Sequence, residues 1–567
     1  MKTRSILVRF PGHPFTPAAL MPDRCLAVVA GCLLDQGHWT QVWDYGTVET
    51  FDRLYPTKWR DAVGRLPELT LETALSTGVP GNIVGRVRGM ARALEGRQAE
   101  LCTILGNELG SGPGLDFVLF CVHSREELTG ARKIVRRLRE KRPSLPLLAA
   151  GPWVDVYGKA LAESGCADAF DALLMGDAGE AVVELASRIA EPETWTRVPN
   201  VVPLAAGHRG ISAHSHESAL DSLPKPVYSS DVYPALHAAV KLNVFPVEDS
   251  RGCGEACHAC PQPALGEGRV RLRSVRAVCD ELSHLMRVYG ARAFKFVGDG
   301  TPVFHAIAVA QAIVARRITA RYTRPLQVCY AGPDVAQVLR ESGCESCWVR
   351  VDTGSQRLLD DFYARGIGVT QTEQVVRACV AEDIFTATRF TFPCPVEDYH
   401  SRAETLRIIQ RTRPHAVEVA LPELAPGSDW HGWAADFGFQ VNPKHVLRWL
   451  AEDAAESVAP SDSALRLPYR IGGFSPKRVD REVAELVSEI SAWGIPANVS
   501  ADTALIARML GHAGKEAAFA SQLLRQLALG DTAGLAAHVM RFNRRASVPP
   551  DTVVLRPFAP VRAAVGN

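Results

Sequence analysis

The sequence predicts an α/β chain in three parts: an N-terminal doubly wound, Rossmann-like sheet, a partial β/α barrel, and a helical C-terminal domain. Three observations predict it. Strand and helix patterns alternate over residues 1–195, as a parallel sheet with crossover helices requires. The alternation returns over 246–450 at the spacing of a β/α barrel. Beyond 451 the periodicity is helical. Between the two sheets, residues 196–245 are rich in Pro, Ser and His and read as a linker. A chain of 567 residues exceeds one core, so several units are expected.

In order, Ile6–Phe10 reads as a strand, Cys25–Leu34 as a helix stopping near Gly37, and Gln41–Asp44 as the next strand. Residues 50–112 are less regular and read as a helical insertion. Asp116–Cys121 resumes the sheet, followed by a helix with Leu128, Ala131, Ile134, Val135 and Leu138 on one face. Leu145–Ala150 and Ala172–Met175 supply two more strands, the last followed by a helix carrying Ala181, Val182 and Leu185. In the second alternation the strands read as Phe294–Val297, Val328–Tyr330, Cys347–Val351, Arg389–Phe392 and Val417–Leu421. Cys344 is placed at the end of the helix before the Cys347 strand. In the tail, Ser475-Pro476 reads as an N-cap and first-turn proline ahead of an apolar stripe, Val479, Val483, Leu486, Ile490 and Trp493. The tail is expected to cap the barrel mouth.

Composition narrows the class. Hydrophobic content of 47% and charged content of 22% are those of globular domains. A net charge of +1 gives no global field for nucleic acid or an acidic membrane. The opening residues are too broken for a signal peptide and no uninterrupted apolar run reaches membrane-spanning length, so a cytoplasmic protein is expected. The fourteen cysteines are scattered through a large chain, which argues for buried thiols over a disulfide framework.

One group of thiols stands apart. Ser250-Arg-Gly-Cys253-Gly-Glu-Ala-Cys257-His-Ala-Cys260-Pro261 spaces its cysteines Cys-x3-Cys-x2-Cys. Three thiolates on one loop can each ligate an iron of a [4Fe-4S] cubane, leaving a fourth iron without a cysteine. A zinc site would need a fourth ligand, and His258 sits too close to Cys257 and Cys260 to supply it easily. Three unrelated buried thiols are the remaining reading.

With its surroundings the motif resembles the radical S-adenosylmethionine superfamily. Gly298-Asp299-Gly300-Thr-Pro resembles the segment that contacts the methionyl amino group, and Asp352-Thr-Gly-Ser355-Gln the one near ribose and carboxylate. Arg365-Gly366 and Pro426-Gly-Ser428 resemble two further segments of the family. Two positions depart from it. Ala259 stands where an aromatic residue commonly packs on adenine, and Phe392-Pro-Cys394-Pro replaces a glycine-rich loop.

The first domain resembles the cobalamin-binding modules fused ahead of the barrel in one branch of that superfamily. The residues carried over are Ser124, Gly151 and Pro152, and the segment with Gly176, Gly179 and Glu180, positions that in those modules lie at strand ends and line the pocket for the corrin's nucleotide tail. A flavodoxin-like domain without a corrin is the other reading. The Asp-x-His-x-x-Gly segment that supplies a cobalt-ligating histidine is absent; His13, His38 and His123 read as polar loop or edge residues. Arg60 and Arg65 read first as solvated surface arginines, with the corrin's lower face as their candidate role.

The resemblance implies a cobalamin-dependent methyltransferase, with a [4Fe-4S] cluster, S-adenosylmethionine and cobalamin as cofactors. It would act on an unreactive carbon of a small natural-product precursor, such as the indole of tryptophan. It also implies a flavodoxin- or ferredoxin-type electron donor and a monomer. A non-methylating cyclase or ring-rearranging enzyme of the same branch and a corrinoid, iron–sulfur carrier without turnover are the alternatives. Glu267, in the loop after the third cysteine, is the candidate that would occupy the open iron, as in the tryptophan 2-methyltransferases of the resembling branch. A solvated loop glutamate is the other reading.

Overall fold

The computed structural model describes residues 2–13, 16–55, 81–112, 114–204, 219–238, 241–298, 300–328, 334–451, 467–497 and 499–547. Asp299, Arg60 and Arg65 lie outside them.

The first sheet is built on runs such as β3, Phe117–Cys121, in which every residue is buried, as parallel strands covered on both faces require. In chain order it comprises β1 (Arg4–Arg9), α1 (Arg24–Asp35), β2 (Trp39–Asp44), α2 (Val48–Leu54), α3 (Gly81–Ser111), β3, α4 (Arg125–Lys141), β4 (Leu147–Ala150), α5 (Pro152–Ser164), β5 (Ala172–Leu174), α6 (Ala178–Ser187) and β6 (Val201–Pro203). The strand order is β2-β1-β3-β4-β5-β6. The first five strands are parallel and β6 pairs antiparallel with β5, so the sheet borrows an edge from the stretch read as linker. The segment Pro17–Asp35 is long and apolar enough by composition to cross a membrane, but 72% of it is buried here, where α1 is a core helix.

The second sheet is parallel throughout, in the order β7-β10-β11-β12-β13-β14, and open between its edge strands β7 and β14. It runs through β7 (Val244–Val247), the two-residue strands β8 (Ser250–Arg251) and β9 (Arg271–Leu272), α7 (Val275–Tyr289), β10 (Ala293–Phe296), α8 (Val303–Ala315), β11 (Arg321–Leu326), α9 (Asp334–Glu341), β12 (Cys344–Asp352), α10 (Val369–Ala381), β13 (Phe385–Thr391), α11 (Tyr399–Thr412) and β14 (Ala416–Ala420). This is the expected partial barrel with two corrections. Its third strand lies at 321–326, ahead of the expected 328–330, of which 329 and 330 lie outside the described residues, and Cys344 opens β12 instead of ending a helix.

The remaining elements are β15 (Phe439–Val441), α12 (Pro443–Ala451), β16 (Tyr469–Ile471), α13 (Pro476–Ala492), α14 (Ala501–Met509), α15 (Glu516–Leu529) and α16 (Thr532–Ala546). Ser475 caps α13 by accepting from the Arg478 amide, with Pro476 at the first position. The expected cap over the barrel mouth is not what α14–α16 form. α14 lies against β11, β12 and β13, at the end where those strands begin. Ser346 Oγ donates to the Ala501 carbonyl at 2.7 Å, and Arg508 pairs with Asp383 at 2.8 Å. Helical periodicity marks a buried face but not which end of a sheet will bury it. α16 reaches α2 of the first module, where Thr532 donates to Asp52. α12 spans to that module too, with Trp449 against Trp153 and Tyr157 at centroid distances of 5.7 and 5.8 Å.

Candidate functional site

The cysteine loop is a closed hairpin at the end of β7. β8 leads into Cys253 and pairs with β9, so residues 252–270 form the lobe. Cys253 and Cys257 are buried and Cys260 half-buried. Burial raises the Cys253 thiol, and pushes that of Cys257 up to about 12 against the pull of Arg365. Binding a metal would have to displace those protons.

The two loops expected beside it are there. An added Cβ at Gly300 would lie 2.8 Å from the Cα, Cβ and Sγ of Cys253, and one at Gly298 within 2.5 Å of Thr301, Asp249 and Ser250. Only glycine lets this loop lie on the cysteine. The arrangement is fixed from below by Asp249 in the barrel interior, whose carboxylate accepts from Thr301 Oγ1 at 2.6 Å and from Arg324 Nη2 at 3.1 Å.

From the other side, Asp352 ends β12 with a left-handed backbone (φ 65°) and is 1% exposed. Arg350 Nε donates to it at 2.9 and 3.1 Å, Thr391 Oγ1 donates at 3.0 Å, and Arg365 Nε stands 3.5 Å away. Burial raises its pKa, but Arg350 and Arg365 outweigh that and hold it below the usual carboxylate range. Arg365 Nη1 also approaches Cys257 Sγ at 3.7 Å, and Gln327 Nε2 approaches Cys253 Sγ at 3.8 Å. Hydrogen-bond donors beside the thiol sulfurs suit an anionic iron–sulfur centre. Ser355 is buried and N-caps the short helix after this loop without a side-chain capping bond.

Ala259 is buried with Phe362, Tyr363, Trp430 and Phe439, so aromatic residues do gather at this position, but from other parts of the chain. Glu267 is exposed with φ 53°. Its neighbour Gly266 would place a Cβ 3.3 Å from the Cα of Gly252, so the turn folds back beside the residue that precedes Cys253.

The strand-end positions of the first sheet also converge. Ser124 caps α4 by accepting from the Glu127 amide, Gly151 and Pro152 open α5, and the Gly176 amide donates to Asp155 at 2.7 Å. A Cβ at Gly151 would lie 2.8 Å from the Val122 carbonyl, so the β3 and β4 loops touch backbone to backbone; Gly176 faces open space. Gly179 is buried and Glu180 exposed on the first turn of α6. Loops from three adjacent parallel strands thus form one rim, which suits a nucleotide-like tail.

Sequence reasoning missed Arg350, Gln327, Asp249 and the partners of the histidines. His38 is buried and shares a 2.8 Å hydrogen bond with Thr3, and His123 is no free loop residue. Its Nε2 meets the buried Asp23 carboxylate at 2.5 Å, with Cys121 Sγ at 3.4 Å. The three could hold a metal ion by distance, but Arg9 stands 3.7 Å from the same Asp23 oxygen and repels a cation. Burial lowers the His123 pKa, yet Asp23 more than reverses this and takes it to about 9. The stability it contributes is complete below the unfolded histidine value of about 6.5 and fades as pH rises through 9. Wild type is expected to lose about 1–2 kcal/mol between these limits, allowing for screening of a side chain that is 31% exposed. Urea melts at the two pH values check this, and His123→Gln should flatten the difference.

No family model matches the chain. It is 25% identical over 214 residues to the uncharacterized methyltransferase PH0819 of Pyrococcus horikoshii, a match covering 37% of this chain and 46% of that protein, so it spans about half the length of that relative. Among solved structures it is similar to the radical S-adenosylmethionine methyltransferase TsrM from Kitasatospora setae with cobalamin and a [4Fe-4S] cluster bound. There the TM-score is 0.61 and the identity 15%, over 95% of this chain and 100% of that one. TsrM with tryptophan substrate and the analogue aza-SAM matches at TM-score 0.56 and 16% identity, over 78% and 79% of the two chains. The cobalamin-dependent S-adenosylmethionine radical enzyme OxsB, with aqua-cobalamin and S-adenosylmethionine bound, matches at TM-score 0.54 and 10% identity, over 96% and 80%. The chain therefore has the fold of the cobalamin-dependent radical S-adenosylmethionine enzymes.

Proposed function

We propose that this protein is a cytoplasmic, cobalamin-dependent C-methyltransferase that moves a methyl group from S-adenosylmethionine to an unreactive carbon of a small natural-product precursor. The observation that carries the reading is the contact of Gly300 with Cys253, which sets an S-adenosylmethionine-type loop directly on a three-cysteine hairpin. When bound, the cluster with S-adenosylmethionine and the corrinoid supply the methyl-transfer chemistry, and the protein positions them.

Cys253, Cys257 and Cys260 hold the iron. Gly298, Asp299 and Gly300 flank the amino end of S-adenosylmethionine, and Asp352 and Ser355 its ribose and carboxylate side, where Asp352 also orients Arg350 and Arg365. Ser124, Gly151, Pro152, Gly176, Gly179 and Glu180 form the rim for the corrin's tail. Glu267 covers the iron that carries no cysteine; support for this is the turn that returns its neighbour to Gly252. An aromatic substrate such as tryptophan is supported by the likeness to TsrM, whose structure holds tryptophan. A monomer served by a flavodoxin- or ferredoxin-type donor completes the reading.

The test is incubation of the reconstituted protein with cobalamin, tryptophan and methyl-labelled S-adenosylmethionine, followed by mass spectrometry. Labelled methyltryptophan is expected, with S-adenosylhomocysteine and no 5′-deoxyadenosine. Stoichiometric 5′-deoxyadenosine would remove Glu267 from the iron; bound corrinoid with no label transferred to any added acceptor would favour a carrier.

A further inference from the structure

The cysteine lobe hangs from a very short neck. β8 and β9 pair through Ser250 with Leu272 and Arg251 with Arg271, and no further. Two-stranded pairings of this length are marginal by themselves. The register also sets two arginines directly opposite each other, which repels.

Asp177 meets both of them. Arg251 Nη1 donates to its Oδ1 at 3.0 Å, Arg271 Nη2 donates to the same oxygen at 3.3 Å, and Arg271 Nη1 donates to Oδ2. The arginine side chains are 20% exposed and that of Asp177 is 6%, so solvent screens these pairs weakly. Asp177 does not belong to the barrel: it is the N-cap residue of α6, within the Gly176–Glu180 loop of the first sheet. An aspartate at that position ordinarily accepts from its own helix, but here the side chain makes no capping bond. Its carboxylate is turned to the arginines instead. Beyond Arg251 the charges continue in alternation: Glu248 accepts from Arg251 at 2.7 Å and stands 3.8 Å from Arg24, which pairs with Glu281.

We infer that Asp177 is a positioning residue that closes the neck of the cysteine lobe from the corrin module. The carboxylate converts a repulsive cross-strand arginine pair into a three-membered bridge, one glycine away from Cys253. The loop that rims the corrin tail and the loop that carries the thiols are thereby held by one side chain, so seating of one is coupled to seating of the other. This role rests on the functional reading above for what the two loops bind, but not for the bridge itself.

The experiment is hydrogen–deuterium exchange of residues 250–272 in the full-length protein, before and after loading with iron and sulfide, with electron paramagnetic resonance of the reduced cluster. Asp177→Asn should speed exchange in the lobe roughly tenfold, as loss of charge-assisted bonds implies, and broaden or diminish the cluster signal. Asp177→Ser, which can cap α6 but carries no charge, should do the same; this separates the bridge from helix capping and serves if the first variant does not fold. Adding Arg271→Gln to either should slow exchange again, because the like-charge contact has gone. Unchanged exchange in the single variants, or a double variant worse than the single, would overturn the role. A wild-type protein that binds no cluster iron would sink the functional reading, while the exchange comparison still decides the bridge.

Discussion

Alanine at Cys253, Cys257 and Cys260 together is expected to abolish iron binding, with iron per chain falling to background and the broad visible absorbance of the reconstituted protein disappearing. On the proposed reading the three thiolates would ligate the irons of a cubane, and no other described thiols share their spacing on one loop. Cys344 and Cys347 are the nearest competitors as a closely spaced pair, but both lie in β12 and are fully buried in the barrel core. Cys347 Sγ is 3.7 Å from Thr386 Oγ1, a core contact with no room for a cluster. The rim proposed for the corrin tail belongs to the first sheet, and its link to the cysteine lobe runs through Arg251 and Arg271 and not through the thiols, so corrinoid binding should fall far less than iron binding in the triple variant. Full iron loading of that variant would defeat the ligand assignment. Gly300→Ala should approach the same phenotype with every thiol present, because the added Cβ has nowhere to go but into Cys253.

Asp352→Asn is expected to cost about 3 kcal/mol of stability, the lower end for breaking a buried ion pair, because Arg350 retains some solvent. Asparagine tolerates the left-handed backbone, so the substitution isolates the charge. Two guanidiniums, Arg350 and Arg365, then lose the carboxylate between them and repel beside Cys257. The sign of the pH dependence follows from a depressed folded pKa: the contribution is full above the unfolded aspartate value of about 3.9 and is lost as pH falls through the lower folded one. Denaturant melts of variant and wild type should therefore differ most near neutrality and converge in acid. A difference that grew on acidification would show that the arginines do not set this carboxylate.

Most of the strand and helix order was legible because parallel strands covered on both faces are written as short apolar runs, β3 being the plainest. β11 was not, for a reason its residues make clear. Arg321-Tyr-Thr-Arg-Pro-Leu326 carries two arginines and a proline, and reads as polar. Arg324 is nonetheless 2% exposed, since Asp249, 75 residues earlier, pairs with it and Phe296 lies under its guanidinium at 5.0 Å. A tertiary partner overrode the local pattern. The same divide runs through the site. The cysteines and the glycines of 298–300 are contiguous in sequence and could be read as motifs. Arg365 beside Cys257, Gln327 beside Cys253 and Asp23 under His123 are pairings across 108, 74 and 100 residues, which spacing does not encode.

The position of α14–α16 has a consequence for how the chain comes off the ribosome. The floor of the barrel, where β11, β12 and β13 begin, is covered by a helix that starts at Ala501, and the contact of Thr532 with Asp52 joins residues 480 apart. Neither the barrel nor the outer face of α2 can be fully covered until those helices have been synthesised. Apolar strand ends then stay exposed through most of translation, the circumstance in which chaperone capture and slow non-local closure govern yield. Soluble expression of this protein is thus set by its distant C-terminal helices as much as by the domains that carry the chemistry.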